Sequence, residues 1–184
     1  MVESLKGKLL LAAPSLRDPN FVRTAVLMCE HGAEGALGLV VNRRSEITMG
    51  QALAHIPGAK GRDESLWQGG PVQPESVFIL HDRSGSGGTE VAPGLWFGGG
   101  IEILTSLLAQ EDAPGRFRLY AGYAGWGAGQ LEFELSQQSW IICPARPEIV
   151  FWNGGALGCW GEALKGMGGR YAIMAQTPID PEWN

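Results

Sequence analysis

Cys29, Glu30 and His31 put a thiol, a carboxylate and an imidazole side by side. If the run from Thr24 to His31 is extended, Cys29 and His31 point to one face and Glu30 to the other. An imidazole within reach depresses a thiol pKa and makes a nucleophilic or redox-sensitive thiolate. His81, at the end of the apolar run that starts at Val77, joins this pair if the two strand ends meet. The alternative makes Cys29 a small buried hydrophobe and leaves His31 in a solvated turn. A metal held by Cys29, His31 and His81 has neither C-x-x-C nor H-E-x-x-H spacing behind it, and structural zinc takes four ligands. No metal or cofactor is expected. His55, near a predicted helix end, reads as structural.

The run from Gly122 to Glu134, GYAGWGAGQLEFE, raises a second chemistry. Gly122 and Gly127 have the spacing of a Walker A loop, but Ala128 and Gly129 stand where Lys and Ser or Thr are required. Gly125, Gly127 and Gly129 give G-x-G-x-G, which is not the dinucleotide fingerprint. The run reads better as a strand ending near Gly122, a turn through Gly125 to Gly129, and a short helix from Gly129. That helix sets Glu132 and Glu134 near its positive end. Trp126 reads as a core or rim anchor. Glu132 and Glu134 would share a face, as paired carboxylates, only in a strand. Gly69-Gly70-Pro71 reads as a turn in preference to a cradle of backbone N–H groups. No G-x-S-x-G elbow appears.

These residues need elements to hold them. Lys8 to Pro14 reads as a strand. Thr24 to Glu30 and Ala36 to Asn42 read as a hairpin with a glycine-bearing loop. Thr48 caps a short helix that ends at Pro57. Two strands flank Gly69-Gly70-Pro71, and a polar loop follows His81. Ile101, Leu104 and Leu108 recur at helical spacing, with Pro114 as the stop. A strand leads from Arg116 into Gly122, and another covers Ser139 to Ala145. Leu157, Trp160, Leu164 and Met167 share a helix face, with Gly168 as its C-terminal cap. Arg170 to Ala175 reads as a closing strand. Strands dominate and no βαβ repeat appears, which gives a single α+β domain over residues 1–184.

The 184 residues are 45% hydrophobic and 18% charged, with a net charge of −5. A chain of this size buries roughly 70% of its unfolded surface. The N-terminal apolar run, Leu9 to Ala13, is too short for a signal peptide, and no stretch approaches the ~18 apolar residues of a membrane span. Three cysteines suit a reducing cytoplasm better than a disulfide framework. Arg43-Arg44 is the one adjacent basic pair, and Arg116 and Arg118 would share a strand face. No basic stripe is present, so nucleic acid is disfavoured unless a patch assembles in three dimensions.

CEHGAEGALGLVVN, GGPV, FILH, GYAGWGAGQLEFE, the following SW and the Trp of GCWGEAL resemble the YqgE/AlgH family of small bacterial proteins. These segments spread over most of the chain in the family's order. The resemblance implies one α+β domain on a curved, partly barrel-like mixed sheet with flanking helices, and an uncharacterised activity. Part of the family carries a transcriptional-regulator label, but nothing in this chain resembles a helix-turn-helix. The motif match carries over Cys29, Glu30, His31, Asn42, Gly69, Gly70, Pro71, His81, Gly122, Tyr123, Trp126, Gly129, Gln130 and Glu132. Arg44 occupies a place where the family often has Pro, as does Ala128. Cys143 and Cys159 match no family position.

Two functions compete. One is a binding or regulatory module for a protein or small-molecule partner. Its surface would draw on Asn42, Gly69, Gly70, Gly122, Tyr123, Trp126, Gly129, Gln130 and Glu132, and on the seven tryptophans. The other is a thiol enzyme or redox sensor centred on Cys29 and His31. A nucleic-acid-associated regulator ranks behind both, and no membrane partner is expected.

Overall fold

A computed structural model describes residues 3–110, 115–154 and 158–176. The elements run β1 (Lys8–Ala12), β2 (Ala25–Gly32), β3 (Gly35–Val40), β4 (Arg44–Thr48), α1 (Met49–Ala52), β5 (Ser65–Gln68), β6 (Val72–His81), β7 (Thr89–Ala92) and β8 (Leu95–Gly98). Then come α2 (Ile101–Ala109), β9 (Phe117–Gly127), α3 (Gln130–Ser136), β10 (Trp140–Pro144), α4 (Pro147–Val150), α5 (Gly158–Met167) and α6 (Gly169–Met174).

The strands hydrogen-bond in the order β10-β1-β2-β3-β9-β6-β8-β7, with β5 joining β4 to β9. The pairing of β5 with β9 is parallel, while β9 is antiparallel to β3 and to β6. This is the expected α+β fold on a curled, half-barrel mixed sheet with helices packed against it.

β9 is the hub. Its first part pairs with β6 and its last residues pair with β3. The chain bends between them at Gly122, where φ is +70°. A Cβ on Gly122 would lie 2.5 Å from the carbonyl oxygen of Gly70. Gly69 crosses at the same point: its N–H donates to Ala121 O and its carbonyl accepts from Val40 N–H, both at 2.8 Å. The paired glycines therefore let three backbones touch. The strand does not end near Gly122, as its glycines suggest, but continues to Gly127.

Apolar runs bury both faces of the sheet, which is why Leu9, Leu10 and Leu11 all lose their solvent contact. Leu9, Leu27, Leu39 and Tyr120 pack on Trp160 and Leu164 of α5. On the other face Leu10, Val26, Met28 and Ala124 pack with Trp126, Trp140 and Leu131 of α3. A third cluster joins Leu66, Ile79 and Leu119 to α1 and α2. Trp160 is wholly enclosed and its Nε1–H donates to Ala12 O at 2.9 Å, so its one polar atom is satisfied.

Thr48 caps α1 as expected, in a capping box with Gln51, but the helix ends at Ala52 and turns carry the chain to Pro57. The segment Arg170 to Ala175 is helical rather than a strand. Gly168 ends α5, and Tyr171 and Met174, one helical turn apart, then pack against the main core. The β4 strand, the β7–β8 hairpin and α4 have no counterpart in the sequence reading. Pro114 and Leu157 lie outside the described residues, as does the tail from residue 177.

Candidate functional site

The structure does not bring Cys29, His31 and His81 together. A β-bulge between Met28 and Glu30 breaks the alternation of β2. Cys29 turns into the core beneath α5 and its Sγ–H donates to Leu27 O at 3.6 Å. Burial, then the nearby Glu30 carboxylate, pushes its thiol pKa far up. Burial likewise raises Cys143 to about 11 and Cys159 to about 12. His31 reaches α3 instead. Its Nδ1 accepts from Leu5 N–H at 3.0 Å and its Nε2 lies 2.9 Å from Glu132 Oε1. Both ring nitrogens are occupied, so neither is left to activate a thiol. Cys29 should therefore resist a soluble disulfide reagent at pH 8 in the native protein, reacting at least about a hundredfold slower than a free thiol. Stopped-flow labelling with and without urea checks this; rapid native labelling lost in Cys29→Ser would restore the thiol site.

His81 stands at the far end of β9, opposite Phe117. It is fully buried and stacks on Trp96 at 6.0 Å. Its Nδ1 accepts from Arg83 N–H and its Nε2 donates to Gly87 O at 2.9 Å. Burial lowers its pKa. The imidazole thus fastens the loop after β6.

The Gly122 to Glu132 surface is mostly a closed hydrogen-bond knot. Gly129, with φ +73°, stands at the N-terminus of α3. Gln130 Oε1 accepts from Gly127 N–H at 3.1 Å, and its amide donates to Glu134. Glu134 also accepts from the indoles of Trp126 and Trp140, at 3.0 and 2.7 Å. Glu132 has a lowered pKa, first through its own backbone N–H in the opening turn of α3 and then through His31. Asn42 Oδ1 accepts from Ala25 N–H and its Nδ2 donates to Arg23 O, which clamps β3 to the start of β2. Gly69 and Gly70 serve the backbone crossing, and Tyr123 meets Phe78 edge-on at 5.8 Å. Most of these groups spend their polar atoms or their close approach on the fold.

The open chemistry lies elsewhere. A cleft of about 310 Å³ is lined by Arg44 of β4, Trp67 of β5, Arg83 after β6, Arg116 and Arg118 at the start of β9, and Phe151 after α4. Arg116 and Arg118 share a face, as their spacing predicts. The parallel pairing of β5 with β9 brings Trp67 beside Tyr120, and the β4–β5 pairing sets Arg44 opposite Trp67.

Two guanidinium groups form the floor. Arg118 is 7% exposed and its guanidinium carbon sits over Trp67, 3.9 Å from the ring centroid. Its terminal nitrogens donate to Val41 O, Val150 O, Phe151 O and Asn153 Oδ1. Arg83 donates to Leu107 O, Gln110 O and Gly115 O, capping the carbonyl end of α2. Neither has a carboxylate partner among the described residues. Arg116 does: its Nε donates to Asp82 Oδ2 at 2.8 Å. Glu64, the carboxylate on the cleft wall, is held by Arg62 at 2.8 Å. Four guanidinium groups therefore converge on one cleft of an acidic protein. Arg83 gave no signal in sequence; the Arg43-Arg44 pair and the alternation of Arg116 and Arg118 were the visible traces.

No helix among the described residues is long and apolar enough to cross a membrane. No group of three or more potential metal-ligating side chains occurs among them either.

The AlgH-like family model matches residues 9–172. A UPF0301 protein of Chlorobaculum tepidum is 41% identical over 181 residues, covering 97% of this chain and 95% of its own. One from Xanthomonas campestris pv. campestris is 39% identical over 153 residues, covering 80% and 81%. The solution structure of the AlgH protein from Pseudomonas aeruginosa aligns with a TM-score of 0.74 at 31% identity, covering 97% of this chain and 96% of that one. Protein DIP2367 from Corynebacterium diphtheriae has the same fold, with a TM-score of 0.78 at 22% identity over 95% and 93% of the two chains. With the match to the family running from β1 into α6, and the fold shared end to end, the chain belongs to the AlgH-like family.

Proposed function

We propose that the protein is a binding module whose ligand is a small anion seated in the arginine cleft. One observation carries this reading. Four guanidinium groups line one cavity of a protein with net charge −5, and among the described residues a carboxylate engages only Arg116 of the four. Like charges so placed repel one another, and an anion relieves the repulsion. The cavity is at the small end of ligand pockets, which run from ~300 to 1,000 Å³. Trp67 and Phe117, both half-buried, add apolar surface for the body of the ligand.

The thiol reading has less support, because Cys29 is enclosed and its imidazole neighbour is engaged elsewhere. A nucleic-acid backbone needs an extended basic track, and the positive charge here converges on one cleft. Three unpaired cysteines support a cytoplasmic setting.

Calorimetric titration with a panel of small carboxylates, sulfonates and phosphates tests the proposal. At least one should bind saturably with a Kd below about 1 mM, weaken as salt rises, and lose about tenfold in affinity in Arg116→Gln. No saturable binding by any of the three classes would sink it.

A further inference from the structure

The arginines of the cleft divide by what their N–H groups are doing. Arg118 has committed both terminal nitrogens to main-chain and Asn153 acceptors. Arg83 is similarly consumed by three carbonyls. These two supply fixed positive charge with few donors to spare. Arg116 and Arg44 are the reverse. Asp82 grips Arg116 from the Nε side and through its backbone N–H. The guanidinium also stacks on Phe151, 4.9 Å from the ring centroid. Two contacts thus hold the group in place, and its terminal Nη1 and Nη2 have no acceptor among the described residues. Arg44 is exposed on β4, and its guanidinium has no hydrogen-bond or ion-pair partner among them.

From this division we infer that the anion is a phosphomonoester dianion, gripped between the forks of Arg116 and Arg44. The inference rests on the binding-module reading and narrows it. A carboxylate has two oxygens and one charge, and a single guanidinium fork satisfies it. A phosphomonoester has three terminal oxygens and two charges, so it can accept from both forks at once. The charge agrees: Asp82 already answers Arg116, and no carboxylate among the described residues pairs with Arg44, Arg83 or Arg118. Trp67 and Phe117, both half-buried, line the same cleft and take the organic part. A phosphorylated metabolite and a phosphorylated side chain of a protein carry the same headgroup. The cleft volume of about 310 Å³ favours the free metabolite.

The test compares phenyl phosphate, benzoate and benzenesulfonate by calorimetry at pH 8 and pH 5. A phosphomonoester loses its second charge near pH 6. Benzenesulfonate keeps one charge throughout, so it reports any titration of Glu64, Asp82 or His81 around the cleft. Phenyl phosphate should bind at least about tenfold tighter than benzoate at pH 8, and that advantage should shrink to about threefold at pH 5. Arg44→Gln and Arg116→Gln should each weaken phenyl phosphate by about tenfold; Arg44→Gln should leave the thermal midpoint near wild type, since that side chain is exposed, whereas Arg116→Gln should also lower it by a few degrees through the lost Asp82 pair. A phosphoserine peptide that outcompetes phenyl phosphate by tenfold or more would replace the metabolite with a protein ligand. Benzoate or benzenesulfonate binding as tightly as phenyl phosphate at pH 8 would overturn the phosphate inference and leave the binding module standing. Binding that ignores Arg44→Gln and Arg116→Gln would overturn it too. Silence from all three probes would remove both.

Discussion

Arg118→Met should cost about 3–5 kcal/mol of stability, enough to unfold much of the protein in moderate urea. The guanidinium draws together the strand end at Val41, the carbonyl end of α4 and the side chain of Asn153. Methionine fills much of the volume but donates nothing. The oxygens of Val41, Val150, Phe151 and Asn153 then lose their partner, and each buried, unsatisfied acceptor costs about 1–3 kcal/mol. Water entering from the cleft recovers part of that. Arg118→Lys should rescue little, because an ammonium has three donors, no plane to lie on Trp67 and no fork to span four acceptors. Urea unfolding followed by Trp fluorescence measures both variants. A loss below about 1 kcal/mol in Arg118→Met would mean that water substitutes for the guanidinium and that the residue is there for ligand alone.

Gly122→Ala should cost about 3 kcal/mol or more, far beyond a typical glycine substitution. Two penalties coincide. The backbone φ of +70° disfavours any side chain, at about 1 kcal/mol for alanine. The added Cβ also meets main-chain oxygens of Gly70 at 2.5 Å and Val72 at 2.8 Å, and main chain cannot swing away. Gly129→Ala separates the terms. Its φ is +73°, yet nothing lies within 4 Å of the added carbon, so it should lose only about 1 kcal/mol. Equal losses in the two variants would show that the strand crossing yields to a methyl group. The GYAG part of the motif would then need another explanation.

The difference between these glycines marks what sequence could and could not reveal. Apolar runs with a glycine-bearing loop gave away the β2–β3 hairpin, and Thr48 announced the cap of α1. The start of α3 after Gly129 was readable from the glycine-rich run that precedes it. Gly122 was misleading, because a glycine that ends a strand and a glycine that lets two backbones cross look alike in one dimension. The same ambiguity hid the β7–β8 hairpin, whose connection at Pro93 and Gly94 interrupts the alternation. In α6, the aromatic and β-branched residues Tyr171 and Ile173 favour strand locally, and packing against the core overrides them. The family's motif residues were found, but most of their polar atoms are spent within the fold. The cleft was nearly invisible, since its arginines sit on β4, after β6 and on β9. Only the pairing of β4 with β5, and of β5 and β6 with β9, draws them together.

That arrangement of strands also fixes an order in time. β1 lies between β2 and β10, with Lys8 opposite Pro144. As the chain leaves the ribosome, the first strand can pair with the second at once, but its other edge must wait until residues beyond Ser139 emerge. The hub strand β9 arrives late as well, so β3 and β6 stand with open edges through much of synthesis. Closure of such distant ends carries a large entropic penalty before any contact repays it, which makes folding slow for a domain of this size. A chain truncated before β10 would expose an apolar edge of Leu9, Leu10 and Leu11, and should collect in aggregates rather than as a smaller folded protein.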